Sequence, residues 1–402
     1  MSYVQDPKRQ VDYLQQCLSS NKKPLGLLLG AGCPMAIRVG DGGKFPLIPD
    51  IAGITKIVCD EVIKDPECGP LLKTIQSQFS KDGRNDFTIE DILTHIRALK
   101  AVAGKDEVRG ISAENLEKLD DRICKIIYDV ANQSLPNDET PYHSIAKWVD
   151  ATRRDNPIEI FTTNYDLLME QAFEDSCVPY FDGFAGVRKP FFDLRAMEED
   201  MLPPRWARLW KLHGSVNWYQ VANKGVFRGT TQNEEGQKRV IHPSHLKYHE
   251  SRRMPYLAMI DRLRAFLKIP TLTLIIVGYS FRDEHINEVI IQGLKSMPTA
   301  IAFAVMFDEI EKYPQAVKLA SDCSNLSLLA LNGAIISKVK NDWPEYDAES
   351  VSSENVNGIK LTVVDGNGKR KAQFTLGNFS IFGKFLKELT GNFQQKNGGS
   401  DA

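Results

Sequence analysis

The run PLGLLLGAGCPMAI, from Pro24 to Ile37, constrains the fold more than any other stretch of the chain. A short apolar segment, Leu25 to Leu29, breaks into Gly30-Ala31-Gly32, and Pro34 then stands where a helix begins. A buried strand, a glycine turn and a helix start with proline in its first turn form an arrangement suited to cradling phosphate. The glycines let a ligand approach the backbone, and the amides that follow point at an anion. The turn is weak as a single motif, because many strand–glycine–helix corners bind nothing.

The same grammar recurs further along. Ile158, Ile160 and Phe161 lie in a β-favouring run that ends in Thr162-Thr163-Asn164, and Asp166 opens an amphipathic helix carrying Leu167, Leu168 and Phe173. ARLWKLHG is a third strand, running into His213-Gly214-Ser215. PTLTLIIVGYSFRDEH is a fourth, ending in Gly278-Tyr279-Ser280, with Asp283 as N-cap of the next helix. TAIAFAVMF adds one more strand before another helix. Strands alternating with helices, with polar or glycine-rich strand ends, predict an α/β fold. The expected architecture is a Rossmann-like, mostly parallel sheet that gathers ligand groups at the carboxyl ends of its strands.

Two departures from that alternation are expected. Residues about 52–155 read as helices and predict a module packed on the sheet. There Ile89, Ile92, Leu93, Ile96 and Leu99 share a helical face, and Thr88 with Asp91 resembles a capping box. Beyond about residue 335, alternation around VDGNGKR predicts a hairpin, then a short amphipathic helix and a disordered polar tail. The expected division is therefore a domain over 1–335 and a C-terminal α+β extension over 336–402.

Bulk properties narrow the function classes. The 402 residues carry a formal charge of −2, 42% hydrophobic and 25% charged, so nothing global points to nucleic acid or an acidic membrane surface. No apolar stretch reaches the ~18 residues of a membrane span, and the N-terminus lacks a signal-peptide core. Seven scattered cysteines, never spaced C-x-x-C, fit reduced thiols in a cytoplasm, with neither a disulfide framework nor a cysteine zinc cage. His242, His245 and His249 have spacings a metal can use, but no cysteine or carboxylate arrangement completes a site. A solvated helix, or a basic surface with Lys247, Arg252 and Arg253 facing a partner or phosphates, is the preferred reading.

Residue by residue, structural readings compete. His213 alone reads as a core histidine at a strand end, Asn164 as a helix cap, and Asp166 as an early-helix acid favoured by the dipole. Cys33 reads either as a low-pKa thiol at a helix N-terminus or, more commonly, as a small buried residue.

Taken together, the four strand-end motifs over residues 24–295 resemble the sirtuin family, NAD-consuming enzymes on a Rossmann-like sheet. The resemblance implies NAD+ as substrate, with its pyrophosphate at Gly30, Ala31, Gly32 and Cys33. It implies that Asn164 positions the ribose and the attacking group, that Asp166 holds the nicotinamide amide, and that His213 is the general base. Gly278 and Ser280 match the adenosine-side turn, and Asp50 in LIPD matches the loop that closes over nicotinamide. Thr163, Gly214 and Ser215, within the same motifs, are expected beside the NAD. Deacylating sirtuins carry two C-x-x-C pairs after the histidine, whereas only Cys323 follows His213 here, so no zinc is expected and protein deacetylation loses support. LLGAGCP, FTTNYD, KLHGSVNW and GYSFRDEHI are similar to the zinc-ribbon-less, sirtuin-like proteins of bacterial antiphage defence, especially the subunit paired with a HerA-type hexameric ATPase. That implies an NAD+ glycohydrolase (NADase) acting in abortive infection as a homo-oligomer with that ATPase, touching nucleic acid only through the complex, with 336–402 as a contact surface. The alternatives are an ADP-ribosyltransferase or deacylase on the same site, or a non-catalytic NAD-sensing module that gates the ATPase.

Overall fold

Five-residue strands that are apolar on both faces need helices above and below them, and the chain supplies both layers. A computed structural model describes residues 5–104, 106–221, 225–229, 237–241, 255–347, 355–356, 358–363 and 369–397. Its centre is a nine-stranded sheet. The parallel strands are β1 (Leu25–Leu29), β2 (Ile158–Thr162), β3 (Tyr180–Phe181), β4 (Ala207–Lys211), β5 (Thr273–Val277), β6 (Ile301–Val305) and β7 (Leu326–Leu329). An antiparallel pair, β8 (Gly333–Ile336) and β9 (Val339–Asp342), closes one edge, and the order is β9-β8-β7-β6-β5-β1-β2-β4-β3. This is the Rossmann-like, mostly parallel α/β sheet expected from the sequence. Every residue of β1, β2, β4 and β5 is buried. Leu25, Leu27 and Leu29 join one core, while Leu28 joins the other on the opposite face.

The chain winds outward from β1 in both directions: β2 and β4 lie on one side, β5 and β6 on the other. That reversal leaves a crevice above the carboxyl ends of β1 and β5, where open α/β sheets bind ligands.

Besides a short helix at Leu194–Glu199, the α-helices among the described residues are α1 (Pro7–Ser19), α2 (Gly32–Met35), α3 (Ile51–Ile63), α4 (Cys68–Lys81), α5 (Ile89–Ala103), α6 (Ala113–Ala131), α7 (Pro141–Ala151), α8 (Leu168–Asp175), α9 (Pro255–Phe266), α10 (Glu284–Ser296), α11 (Pro314–Asp322) and α12 (Phe379–Asn397). α3 to α6 pack on one another as the helical module. The capping box starting α5 is present: Thr88 caps the Asp91 amide, and Asp91 accepts from the Thr88 amide at 2.8 Å. Ile89, Ile92, Leu93, Ile96 and Leu99 are all buried. α7 packs against α8 and α12, because it is the crossover that delivers the chain into β2.

Past residue 335 the main sheet continues, since the β8–β9 hairpin straddles that position. Beyond it lies a four-stranded antiparallel sheet containing the expected hairpin, Ile359–Val363 with Lys369–Phe374; residues 364–368 between them lie outside the described residues. The following helix runs to Asn397, so Gly391 to Asn397 is helical where a polar tail was expected. Phe374, Phe382 and Leu386 are fully buried in the same core as the module helices. The Phe379 ring meets Tyr142 on α7 with centroids 5.0 Å apart.

A smaller antiparallel sheet leaves the His213 turn: Gly214–Val221 pairs with Gly225–Arg228 and Gln237–Ile241. Its Trp218 packs on Phe184 with ring centroids 5.1 Å apart. His242, His245 and His249 lie outside the described residues.

A Cβ at Gly383 would stand 2.7 Å from Pro141 Cα, so α12 crosses α7 where only glycine fits. Gly383→Val is expected to cost about 1–3 kcal/mol through overpacking, seen as a lower urea midpoint with an unchanged slope; an unchanged midpoint would refute this account of the crossing.

Candidate active site

Two turns meet at the crevice. The Gly30 amide donates to Val277 O at 3.0 Å, Gly32 to Gly278 O at 2.8 Å, and Cys33 to Gly30 O at 3.0 Å. A Cβ on Gly30 would lie 2.4 Å from Gly278 O, and one on Gly278, whose φ is +66°, would lie 2.7 Å from Cys33 N. These glycines let one backbone turn touch another. This changes the expectation of an anion cradle at Gly30 to Cys33: the amides of Gly30, Gly32 and Cys33 are already committed to protein carbonyls. Helix α2, only four residues long, adds little dipole. Cys33 is fully buried with Sγ 3.5 Å from Val277 O, and burial pushes its thiol well above its ordinary pKa. It is the small buried residue of the two readings.

The end of β2 locks onto the end of β1. Thr162 Oγ1 donates to Leu29 O at 3.0 Å, and the Thr163 amide donates to the same carbonyl at 3.2 Å. The Asn164 amide donates to Thr162 Oγ1 at 3.0 Å, and its Nδ2 donates to Gly30 O at 3.1 Å. Asn164 therefore spans two strand ends and caps nothing. Capping falls to Asp166, whose Oδ1 accepts from the Leu168 amide at 3.1 Å as α8 begins.

Asp166 is buried, and desolvation pushes its pKa up to about 6 against the pull of Lys211. Lys211, the last residue of β4, is also buried. Its ammonium donates to the Asp166 carbonyl and to Glu170 Oε1, the latter at 2.9 Å. One buried cation thus pins the 165–166 turn and supplies the charge facing Asp166.

His213 follows β4, anchored by the Leu212 amide on Thr162 O at 2.8 Å and by Gly214 at φ +87°. Its Nε2 lies 2.7 Å from Asp283 Oδ2, and its Nδ1 lies 3.9 Å from Glu90 Oε1. Burial alone would lower its pKa, but the Asp283 hydrogen bond and the charges of Glu90 and Asp283 outweigh burial and raise it. Burial likewise opposes ionisation of Asp283, yet the His213 contact and the amides of Ile286 and His285 hold it down at about 2.

Asp283 is the N-cap read from the sequence: its Oδ1 accepts from His285 at 2.9 Å and Ile286 at 3.1 Å. The missed half of its role is the other oxygen, on His213. The loop carrying it contains the buried Phe281 at φ +59°, a conformation that costs non-glycine residues about 1–3 kcal/mol. Asn287 Nδ2 holds it by donating to Phe281 O at 2.7 Å, and Tyr279 OH donates to Asn287 Oδ1 at 3.0 Å.

The remaining expected residues divide. Ser215 is buried with Oγ 3.4 Å from Tyr165 O, and Asp50 caps α3 by accepting from Gly53 at 2.9 Å; both have structural work to do. Ser280 is exposed, Ala31 partly so, and Gly214 is buried. Among the described residues no group of three or more His, Cys, Asp or Glu side chains could hold a metal ion, and no helix is long and apolar enough to cross a membrane.

Residues 158–324 match the family model of the SIR2-like domain. The matched stretch is less than half of the chain. It carries Asn164, Asp166, His213, Gly278 and Asp283, so the similarity and the histidine–carboxylate geometry fall on the same residues, while Gly30 and Glu90 lie outside it. Among solved structures, the chain is similar to a mutant Sir2 homologue in complex with ADP-ribose, at 12% identity over 97% of this chain and 99% of that one, with a TM-score of 0.38. It is also similar to a Sir2 homologue–NAD complex, at 11% identity over 96% and 94%, with a TM-score of 0.35. No curated protein matches the chain in sequence.

A carboxyl whose folded pKa is raised from 3.8 to about 6 costs stability as pH rises through that window, because the folded state must give up a proton it holds more tightly. Asp166→Asn, which keeps the cap to Leu168, is expected to stabilise the fold above pH 7 by on the order of 2–3 kcal/mol and to lose that advantage near pH 4. Denaturant melts of both proteins across this range check it; an equal difference at every pH would exclude the mechanism.

Proposed function

We propose that the protein is an NAD+ glycohydrolase, cleaving the nicotinamide–ribose bond to give nicotinamide and ADP-ribose. The observation that carries the reading is the His213–Asp283 pair, with the His213 ring facing Tyr165, which lies between Asn164 and Asp166 in the chain, all within the stretch that matches the SIR2-like model. Resemblance to Sir2 proteins supplies NAD+ as the substrate.

The geometry suits that chemistry. With Nε2–H donated to Asp283, Nδ1 is the nitrogen that takes the proton, with the Glu90 carboxylate 3.9 Å from it, a tautomer assigned from the contacts. The bond between the ribose anomeric carbon and the pyridinium nitrogen breaks, its electron pair neutralising the leaving nicotinamide. Water oxygen then bonds to the oxocarbenium carbon, and the water's proton passes to His213. Asp283 stabilises the resulting imidazolium, as the buried aspartate does in a hydrolase triad. Asn164, fixed on Gly30 O, presents its carboxamide to the ribose and the attacking water. Asp166 accepts from the nicotinamide amide. Gly278 and Ser280 lie on the adenosine side, while the diphosphate does not rely on the committed amides of Gly30, Gly32 and Cys33.

Hydrolysis is favoured over acyl-lysine chemistry because the segment after His213 forms an aromatic-cored antiparallel sheet and contains no cysteine pair. Resemblance of the motifs to antiphage proteins supports a setting in the bacterial cytoplasm: a homo-oligomer that depletes NAD+ beside a HerA-type hexameric ATPase and meets nucleic acid only through that complex.

Incubation with NAD+, alone and with the ATPase, is expected to release nicotinamide. Asn164→Ala and His213→Ala should each cut the rate by ~10²–10⁴ or more while the far-UV spectrum stays native. The base must be neutral to act, so a raised His213 pKa places the acid limb of the rate profile above 6.5, and Asp283→Asn should move that limb down. Intact NAD+ in the assembled complex, or full activity in both alanine variants, would sink this reading.

A further inference from the structure

Glu90 belongs to the helical module, far in sequence from every other residue at the crevice. It occupies the first turn of α5, whose start is fixed by the Thr88–Asp91 capping box and by the Ile89 amide donating to Thr55 Oγ1 at 2.9 Å. Its carboxylate accepts the Tyr165 hydroxyl and stands 3.9 Å from His213 Nδ1, while Tyr165 and His213 rings lie 6.4 Å apart. Tyr165 is itself buried between the two residues assigned above to the ribose and the nicotinamide. The imidazole therefore has a carboxylate at each ring nitrogen, one from the sheet and one from the module.

We propose that Glu90 is a positioning residue of this site, holding the His213 imidazolium at the ring nitrogen opposite Asp283 and making the ring's orientation depend on how the helical module is docked. This rests on the NAD+-cleaving reading for its catalytic consequence, but not for its electrostatic one. A carboxylate within about 4 Å of a largely buried imidazole favours its cationic form. It therefore favours the state His213 reaches when it has taken the proton. Tyr165 conveys the same constraint sterically: its ring is packed beside the histidine, and its hydroxyl is fixed only while α5 keeps Glu90 in place.

The test uses Glu90→Gln, which keeps a partner for Tyr165 and removes the charge, with Tyr165→Phe as companion. The full chain is examined by imidazole NMR titration and, in parallel, by nicotinamide release over a range of pH. The expected result is a His213 titration shifted to lower pH in Glu90→Gln, at unchanged melting temperature. Turnover should fall about tenfold or more, KM should stay within about twofold, and the acid limb of the rate profile should move with the titration. Tyr165→Phe should lower turnover and leave the titration nearly where it was. A native-like Glu90→Gln variant whose His213 titration is unmoved would overturn the proposal. So would a moved titration with turnover intact in a wild-type enzyme that cleaves NAD+. If wild-type protein releases no nicotinamide, the proposed function fails by itself, and the titration alone decides whether Glu90 holds His213.

Discussion

The site depends on one backbone contact, the Gly30–Gly32 turn lying against Gly278. Parallel pairing of β1 with β5 brings the two strand ends side by side, but a side chain on either turn would force them apart. Because they touch, the loop after β5 begins close enough to β1 for Asp283 to reach His213, which arrives from β4 two strands away on the other side. The contact consumes amides that a phosphate-binding turn would offer, so this crevice is built first for closeness. Its ligand-facing chemistry is left to side chains.

Those side chains are held by buried charge. Lys211 and Glu170 pair inside the fold, and on the sheet's other face Glu159 meets Arg262 at 2.6 Å while Arg208 meets Asp200 at 2.7 Å. Such pairs add little net stability over apolar residues of the same shape, because desolvation offsets attraction. What they supply is geometry. Lys211 can satisfy its donors only with the 165–166 turn in its observed place, which fixes Asp166 and the backbone beside Asn164.

The sheet was legible in the sequence because its strands are short apolar runs and its turns carry glycine or polar residues at each end. Asn164, Asp166 and His213 were legible for the same reason: they end strands, and strand ends in a parallel sheet converge. Asp283 was read as a cap, correctly but incompletely, since one oxygen fills a local role that hides the other. Glu90 was illegible. It looks like any first-turn acid of a capped helix, and only the docking of the module brings it to His213. The glycine motif shows that backbone is accessible without showing what approaches it, and here the amides of Gly30, Gly32 and Cys33 meet protein carbonyls.

Part of the crevice runs against stability. Asp166 is ionised only at the cost of desolvation, and Phe281 holds a left-handed conformation that Asn287 must brace. His213 sits between two acids in a largely buried position, where an imidazole would otherwise prefer to be neutral. The first two are unfavourable for the fold, whereas the two acids outweigh burial at His213 and favour its protonated form. On the proposed function, a bound amide complements Asp166 and a proton shed during bond cleavage passes to His213. Two apolar cores on either side of the sheet supply the stability that keeps these groups in place.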